Sequence, residues 1–233
     1  MNLNSKTAII TGVSRGLGKA TAEALVKKGV TVYGISRSES DLEAMARAWG
    51  DLFEPVILDI TEEEKVRSWV SESFSEANPP DILINNAGAG FFEDIDAFSS
   101  EQWHQMVNTN LNGVFYLTSA IVPFMKAVES SSHIINIGSI LGKVSSSQKS
   151  AYSATKYAIQ GFSEGLFKEL RGFNIKVSCV NPGSIETGFF EASGIAPNPL
   201  MLQPHELADT LVYLLETPEN VLIDELTIRP LRM

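Results

Sequence analysis

Short apolar runs alternate with longer stretches of helical periodicity along the whole chain. The first run, residues 6–11, has the composition of a strand that a parallel sheet buries on both faces. Further strands are predicted at 30–36, 55–60, 81–85, 133–139, 176–181 and 226–229. Helices are predicted at 16–28, 41–49, 62–77, 101–127, 150–172 and 205–216. Alternating strands and helices imply right-handed crossovers between parallel strands.

This alternation predicts the fold class. We expect an α/β protein with one domain over residues 1–233, a Rossmann-like doubly wound parallel sheet of about seven strands, and helices on both faces. Thr61 and Glu64 have the spacing of a capping box for the third helix. Pro123 is expected to bend the long fourth helix. Residues 183–203 show little periodicity and are predicted to form a long functional loop, with the substrate segment at about 187–203.

The net charge restricts what such a fold binds. The chain carries 18 Lys and Arg against 28 Asp and Glu, a net charge of −10. A nucleic-acid surface needs clustered Lys and Arg to neutralise phosphates, so no nucleic-acid partner is predicted. A field of this sign does not collect anionic cofactors, and any phosphate site must be built locally.

The sequence also predicts a cytoplasmic protein with no membrane partner. No apolar run approaches the roughly 20 residues that span a bilayer, and no basic segment followed by an apolar one opens the chain. The single cysteine, Cys179, cannot form an internal disulfide, which fits a reducing cytosol. Its apolar neighbours Val177 and Val180 predict a buried strand thiol rather than a nucleophile.

A glycine cluster follows the first predicted strand and opens the first helix. Its spacing is G-x-x-x-G-x-G, with Gly12, Gly16 and Gly18 at the glycine positions. Glycines let backbone N–H groups approach a phosphate, and a helix N-terminus favours negative charge. The spacing departs from the G-x-G-x-x-G fingerprint. Its place at the carboxyl end of the first strand nevertheless predicts a dinucleotide site.

Tyr152 and Lys156 are four residues apart and share one face of a predicted helix. An isolated phenol, with a pKa of about 10, is a poor acid or base at neutral pH. A nearby ammonium favours the phenolate and lowers that pKa, so the pair forms a general acid/base. Tyrosine and lysine meet at this spacing on many solvated helices. The pair therefore indicates a catalytic site only if the chain also supplies a cofactor site and a substrate-orienting group.

In order and spacing, these motifs resemble the short-chain dehydrogenase/reductase family over essentially the whole chain. The family's glycine motif has the spacing found here. The other landmarks of the family are matched by Asp59, Asn85-Asn86-Ala87-Gly88, Asn110, Ser139, the Tyr152/Lys156 pair, Pro182-Gly183 and Thr187. Each match is weak alone, but all fall in the right order at a predicted strand end or on a helix face.

The resemblance implies an oxidoreductase that interconverts a carbonyl and an alcohol by hydride transfer with a nicotinamide dinucleotide. Tyr152 would exchange a proton with the substrate oxygen. Lys156 would lower the tyrosine pKa and bind the nicotinamide ribose. Ser139 would hold the substrate carbonyl, and Asn110 would organise a water-linked proton path to the lysine.

The resemblance also implies a single NAD(P)-binding domain and a place for the cofactor. Asp59 would accept from the adenine amino group, residues 86–88 would flank the adenosine, and residues 182–187 would support the nicotinamide. The implied cofactor-binding residues are Gly12, Ser14, Arg15, Gly16, Leu17, Gly18, Arg37, Asp59, Ile60, Asn86, Ala87, Gly88, Tyr152, Lys156, Pro182, Gly183, Ile185 and Thr187.

The end of the second predicted strand distinguishes two cofactors. NAD enzymes usually place an acid there for the ribose 2′-hydroxyl, while NADP enzymes use arginine near that point. This chain has Ser36 and Arg37 there, and Arg15 in the glycine loop. Two guanidiniums suit a 2′-phosphate, so NADP(H) is predicted. Glu39 nearby keeps NAD(H) as the alternative.

Other functions remain as alternatives. An NAD-dependent alcohol dehydrogenase or a 3-oxoacyl thioester reductase would use the same residues, although the acidic surface suits an acidic carrier protein poorly. A dinucleotide-binding sensor would not need the acid/base set. Residues 161–165 match the hydrolase motif G-x-S-x-G, but they lie in a predicted helix, and no Asp stands between Ser163 and His205. His104, His133 and His205 are scattered, so no metal site is predicted.

The substrate, a small carbonyl or alcohol, is expected to enter an apolar and fairly open pocket. No Arg or Lys is obviously placed for a substrate carboxylate. The expected apolar wall consists of Phe91, Phe92, Phe189, Phe190, Ile195, Leu200 and Met201. Gly161 and Gly165 are expected to allow close helix packing, and a homodimer or homotetramer is predicted because the family commonly pairs through two long helices.

Overall fold

A computed structural model describes residues 1–189 and 200–232. Within these residues, seven parallel strands form one sheet in the order β3-β2-β1-β4-β5-β6-β7. The strands are β1 Thr7–Thr11, β2 Thr31–Ser36, β3 Phe53–Ile57, β4 Ile82–Asn85, β5 Ser132–Ile137, β6 Ile175–Pro182 and β7 Glu225–Ile228. The chain order reverses between β1 and β4, which makes a crevice at the carboxyl ends of these strands.

Helices cover both faces of the sheet. They are α1 Gly16–Lys27, α2 Glu39–Trp49, α3 Glu63–Ser73, α4 Ser100–Val107, α5 Gly113–Lys126, α6 Ser150–Leu170 and α7 Pro204–Glu216. Ile10 packs into the core with α1, α2 and α7, while Ile9 packs into the core with α3, α5 and α6. Adjacent residues of β1 are thus buried on opposite faces, which is why this strand is continuously apolar. The predicted single-domain, Rossmann-like doubly wound fold is confirmed.

The predicted helix at 101–127 is divided in the structure. A π-helical turn, Asn108–Asn112, separates α4 from α5, and Pro123 lies inside α5. The change in helical register therefore falls at the π turn, and the predicted bend at Pro123 stays a prediction. A π turn inserts one residue into the helical register, a change that a long apolar periodicity does not reveal.

Two predictions around β3 are also corrected. The strand spans 53–57 instead of 55–60, so Asp59 lies beyond its end. The capping box of Thr61 and Glu64 does not form, because the N-cap of α3 has no side-chain hydrogen bond. Instead, the Thr61 hydroxyl donates to Asp59 Oδ1 at 2.8 Å, and the Thr61 N–H donates to the same oxygen at 3.0 Å. A local turn held by the aspartate thus competes successfully with the cap.

None of the helices described is long and apolar enough to cross a membrane.

A buried histidine lies near the amino-terminal edge of the sheet. His133, in β5, is 1% exposed, and its Nε2 lies 2.8 Å from Ser178 Oγ. Since Ser178 Oγ donates to the Ile223 carbonyl at 2.6 Å, Nε2 carries the proton that Ser178 accepts. Among the described residues, His133 Nδ1 has no hydrogen-bond partner. Burial, assisted by the Lys176 ammonium, lowers the pKa of His133 to about 3, which keeps the ring neutral.

We expect His133 alone to lower the free energy of unfolding by about 2 kcal/mol between pH 7 and pH 5. The unfolded chain takes up a proton at about pH 6.5, whereas the folded chain does not, so acid favours the unfolded state. Urea unfolding at both pH values measures the effect. His133→Gln should remove this part of the pH dependence, and His104→Gln, on the exposed face of α4, should not. An unchanged pH dependence in His133→Gln would contradict the prediction.

Candidate active site

A cavity of about 770 Å³ opens at the carboxyl ends of the strands. Its wall is built from the segments that follow β1 to β6. The structure brings most of the predicted site residues to this wall: Gly12, Ser14, Arg15, Gly16, Leu17, Arg37, Asp59, Ile60, Asn86, Ala87, Gly88, Ser139, Tyr152, Lys156, Pro182, Gly183, Ile185 and Thr187. Gly18 and Asn110 are the two predicted site residues that do not line the cavity.

The glycine loop permits two close backbone approaches. Gly12 has φ +73°, and a Cβ there would lie 2.9 Å from the Ala87 Cα. A Cβ on Gly18 would lie 2.2 Å from the Gly12 carbonyl oxygen. Gly18 therefore lets α1 pack against its own loop instead of contacting a ligand. The first turn of α1 carries no acidic residue, so its N–H groups are suited to an anion.

The turn after β4 is tied to the glycine loop. The Asn86 and Ala87 N–H groups donate to Thr11 Oγ1 at 3.0 and 2.9 Å. The Asn86 side chain donates to the Thr11 carbonyl at 2.8 Å. These hydrogen bonds join the two predicted cofactor segments into one continuous wall of the cavity.

An ion pair lies at the β2 and β3 end of the cavity. Arg37 Nη1 is 3.6 Å from Asp59 Oδ2, and the Arg37 side chain is 74% exposed. Burial opposes ionisation of Asp59, but the two hydrogen bonds from Thr61 and the Arg37 charge outweigh it and lower the pKa of Asp59. Ser38 and Asp41, which the sequence pattern did not indicate, also line this end, and the Ser38 hydroxyl donates to Asp41 Oδ2 at 2.7 Å.

Tyr152 projects from the first turn of α6 into the opposite half of the cavity. It is 7% exposed, and its ring packs against the Phe92 ring at 5.4 Å and the Phe189 ring at 5.9 Å between centroids. Burial raises the pKa of Tyr152, and a hydrogen bond with the Ser139 side chain opposes this only in part. The phenol is therefore held protonated at neutral pH.

Lys156 lies one helical turn beyond Tyr152 and is 5% exposed. Its Nζ donates to the Ile137 carbonyl at 2.8 Å and lies 5.7 Å from the Tyr152 ring centroid. Burial lowers the pKa of Lys156 to about 8, which leaves it mostly charged at neutral pH. The predicted lowering of the Tyr152 pKa by Lys156 is not found, because desolvation raises the pKa of the phenol and the Lys156 ammonium is turned toward the Ile137 carbonyl.

Ser139 is placed by a short 3-10 turn, Ile140–Gly142. Its Oγ accepts from the Leu141 N–H at 3.1 Å, and its own N–H donates to Asn181 Oδ1 at 3.1 Å. A Cβ on Gly142 would lie 2.7 Å from the Lys156 carbonyl oxygen. The turn can therefore lie directly on α6, which brings Ser139 to Tyr152.

Asn110 lies in the π turn behind the cavity wall and is 1% exposed. Its Oδ1 accepts from the Ala89 N–H at 2.8 Å, and its Nδ2 donates to the Ala89 carbonyl at 2.9 Å. The same Nδ2 donates to Thr155 Oγ1 at 3.0 Å, and Thr155 donates to the Tyr152 carbonyl at 2.8 Å. Asn110 thus joins the loop after β4 to the helix that carries the tyrosine; its predicted water-linked role stays a prediction.

The substrate half of the cavity is only partly as predicted. Phe91, Phe92 and Phe189 line it. Leu200 and Met201 do not, because backbone hydrogen bonds hold the following residue 202 against Ser184 and leave Leu200 47% exposed. Phe190 and Ile195 lie outside the described residues.

The sequence showed no Arg or Lys obviously placed for a substrate carboxylate, but the structure places one lysine at the cavity. Lys149 lines the cavity, together with the polar residues Gln105 and Thr109, which the sequence pattern also did not indicate. Lys149 precedes Tyr152 by three residues, close to one helical turn. This spacing is the sequence signal that could have indicated that the Lys149 and Tyr152 side chains point in the same direction.

The hydrolase motif is helical, as predicted. Ser163 lies inside α6, where its Oγ donates to the Ile159 carbonyl at 2.7 Å and accepts from Asn136 Nδ2 at 2.9 Å. A nucleophile elbow needs a strand-to-helix turn, which this position does not offer. A Cβ at Gly161 or at Gly165 would meet no neighbouring atom of the described residues within 4 Å, so both glycines face open space on α6. The predicted homo-oligomer stays a prediction.

Cys179 is 2% exposed in β6, as predicted. In the part of the chain that the structure describes, no three His, Cys, Asp or Glu side chains are grouped so that they could hold a metal ion.

Comparisons with known proteins agree with this geometry. A family model described as short chain dehydrogenase matches residues 6–196. An uncharacterised oxidoreductase of Staphylococcus haemolyticus is 36% identical over 229 residues, which cover 98% of each chain. A 3-ketoacyl-(acyl-carrier-protein) reductase of Brucella melitensis, solved with NADH, superposes with a TM-score of 0.89 at 27% identity over 99% of both chains. The closed form of a serine dehydrogenase with NADP⁺ gives a TM-score of 0.87 at 25% identity over 95% of this chain and 94% of that one.

Proposed function

The chain belongs to the short-chain dehydrogenase family of oxidoreductases, and we propose that it reduces a carbonyl group with NADPH, with Tyr152 as the proton donor. The observation that carries the proposal is that the Tyr152 phenol, Ser139 and Lys156 line the same cavity as the glycine loop. A general acid acts only within reach of the reacting oxygen, so a phenol in the cavity that would hold the cofactor is suited to this role.

The residues present suit a nicotinamide dinucleotide. The cavity falls within the usual range of cofactor sites, and Gly12 leaves space where a Cβ would collide with the turn after β4. The α1 N-terminus would hold the pyrophosphate, and the segment from Pro182 to Thr187 would hold the nicotinamide. The cofactor supplies the hydride when bound, and the protein fixes its position.

The chain's own residues provide the proton and the orientation. The Ser139 hydroxyl orients the carbonyl oxygen toward the Tyr152 phenol, which donates its proton as the carbon is reduced. The resulting phenolate is stabilised by the charge of Lys156, one turn away on the same helix. In the reverse direction the same three groups take up the proton of an alcohol.

The test is oxidation of NADPH and NADH against a panel of ketones, aldehydes, quinones and acyl thioesters. Turnover of a carbonyl compound with NADPH supports the proposal. A clear preference for NADH would favour an NAD-dependent alcohol dehydrogenase, and activity confined to acyl thioesters would favour a 3-oxoacyl thioester reductase. Cofactor binding without turnover of any compound would favour a dinucleotide-binding sensor.

The preference for NADP(H) rests on Arg37 and Arg15 at the cavity wall. We expect Arg37→Asp to lower kcat/KM for NADPH by about 10- to 100-fold relative to NADH, because it removes a charged partner of the 2′-phosphate. Steady-state kinetics with both cofactors measures the ratio. Arg47→Asp is the matched control, since Arg47 lies on the exposed face of α2 and pairs with Glu43. If Arg37→Asp kept the wild-type ratio, the assignment of Arg37 would be wrong.

A further inference from the structure

We propose that Lys149 binds an anionic group of the substrate, and that the site therefore takes an oxo acid or hydroxy acid. The inference rests on the proposed function, to which it adds the chemical class of the substrate. Lys149 is the specificity-determining residue in this scheme, and Tyr152 remains the proton donor.

The position of Lys149 points its side chain inward. Residues 143–148 and Ser150 are exposed, whereas Lys149 is half-buried and lines the cavity. Lys149 Nζ lies 5.8 Å from the centroid of the Phe92 ring, whose edge-to-face neighbour is the Tyr152 ring. The Lys149 ammonium and the Tyr152 ring thus both lie close to the Phe92 ring, and all three residues line the same cavity.

The charges along the wall favour an anion in this half. The two carboxylates of the described wall, Asp41 and Asp59, both lie at the far end beside β2 and β3. No carboxylate of residues 1–189 or 200–232 lies within ion-pair distance of Lys149. The nearby Asp94 is exposed, does not line the cavity, and accepts from the Gln148 side chain at 3.3 Å. With respect to the described part of the chain, the charge of Lys149 is therefore available for a ligand.

The surroundings of Lys149 favour an anionic substrate at its ammonium group. The net charge of −10 repels anions at long range, so an anionic substrate needs a local cation to be held. The first turn of α6, which begins next to Lys149, carries no acidic residue and adds the positive end of the helix dipole. Phe92, Leu141 and Phe189 line the same half of the cavity. They suit a short apolar segment between the carbonyl at Tyr152 and the carboxylate at Lys149.

The experiment compares oxo acids with their methyl esters. Reduction by NADPH is measured for 3-oxobutanoate, 4-oxopentanoate, 5-oxohexanoate and the three esters. We expect the wild-type enzyme to prefer at least one acid over its ester by about tenfold or more in kcat/KM. Lys149→Met, which keeps an apolar stem against Phe92, should abolish this ratio by raising KM for the acid. Lys149→Arg should retain most of it.

The control on the same helix is Lys168→Met, whose lysine is exposed and pairs with Glu164. It should keep the wild-type ratio of acid to ester. Higher salt should lower the wild-type ratio, because the charge is only half-buried and is screened. A wild-type ratio near one, or a ratio that Lys149→Met does not change, overturns the inference.

Failure of the inference and failure of the proposed function give different results. If neutral ketones or aldehydes are reduced without any preference for acids, only the role of Lys149 is wrong. If no carbonyl compound consumes NADPH, the proposed function is wrong. Calorimetry then tests separately whether Lys149 binds the anionic group. Titration of the same three oxo acids into the NADP⁺-loaded Tyr152→Phe protein should show binding of at least one of them, which Lys149→Met weakens at least tenfold. Absence of binding to the Tyr152→Phe protein overturns the inference.

Discussion

Tyr152→Phe is expected to lower kcat for carbonyl reduction by about 10²- to 10⁴-fold, the range that a positioned general acid contributes. The substitution removes one hydroxyl and keeps the ring, which packs between Phe92 and Phe189. The cavity and the glycine loop should therefore be preserved, and the dissociation constant of NADPH should change by less than about twofold. Stopped-flow measurement of NADPH oxidation separates the chemical step from cofactor binding, which fluorescence titration measures.

The matched control is Tyr157→Phe on the same helix. Tyr157 is 47% exposed, does not line the cavity, and donates its hydroxyl proton to the Lys143 carbonyl. Loss of this phenol should leave kcat near the wild-type value. If Tyr152→Phe retained a rate close to that of Tyr157→Phe, proton donation would have to come from another group.

The direction of the Tyr152 pKa illustrates what a sequence pattern leaves out. The spacing of Tyr152 and Lys156 correctly predicts that they share a helix face, because helical geometry is local. The balance between an attractive ammonium and desolvation depends on the rings that enclose the phenol, and Phe92 and Phe189 come from distant segments. The pattern alone thus favoured a lowered pKa, whereas the folded chain raises it.

The sheet could be predicted much further than the contacts of the site. Strands buried on both faces appear as continuous apolar runs, so their order along the chain follows from the pattern. The connection of Thr11 to Asn86, in contrast, joins segments that are 75 residues apart. The cavity-facing position of Lys149 likewise depends on Phe92, which belongs to another loop.

The π turn at Asn108–Asn112 was hidden for a different reason. The apolar periodicity of the predicted helix persists across the π turn, because one inserted residue shifts the register without breaking the pattern. Pro123 was the visible signal, yet it lies within α5. The family resemblance implied a role for Asn110, but the hydrogen bonds to Ala89 that define its place appear only in three dimensions.

Asn110→Leu is expected to lower the free energy of unfolding by about 1–3 kcal/mol. Leucine has a similar size but cannot pair with the Ala89 N–H and carbonyl, which are half-buried, so leaving them without a partner costs less than it would for two fully buried groups. This is a large share of the roughly 5–15 kcal/mol by which domains are stable. Urea unfolding followed by circular dichroism measures the change.

Asn112→Leu provides the control within the same π turn. Its Nδ2 donates to Asn108 Oδ1 at 2.9 Å on the exposed side, so its loss should cost no more than about 0.5 kcal/mol. Damage to the π turn itself would destabilise both variants. Loss of the hydrogen bonds to Ala89, in contrast, destabilises only Asn110→Leu. The folded fraction of Asn110→Leu should also reduce carbonyl compounds more slowly than Asn112→Leu, because Ala89 and the Tyr152 carbonyl are no longer joined through Asn110 and Thr155. Equal stability and equal rates in the two variants would show that the hydrogen bonds between Asn110 and Ala89 neither stabilise the fold nor position Tyr152.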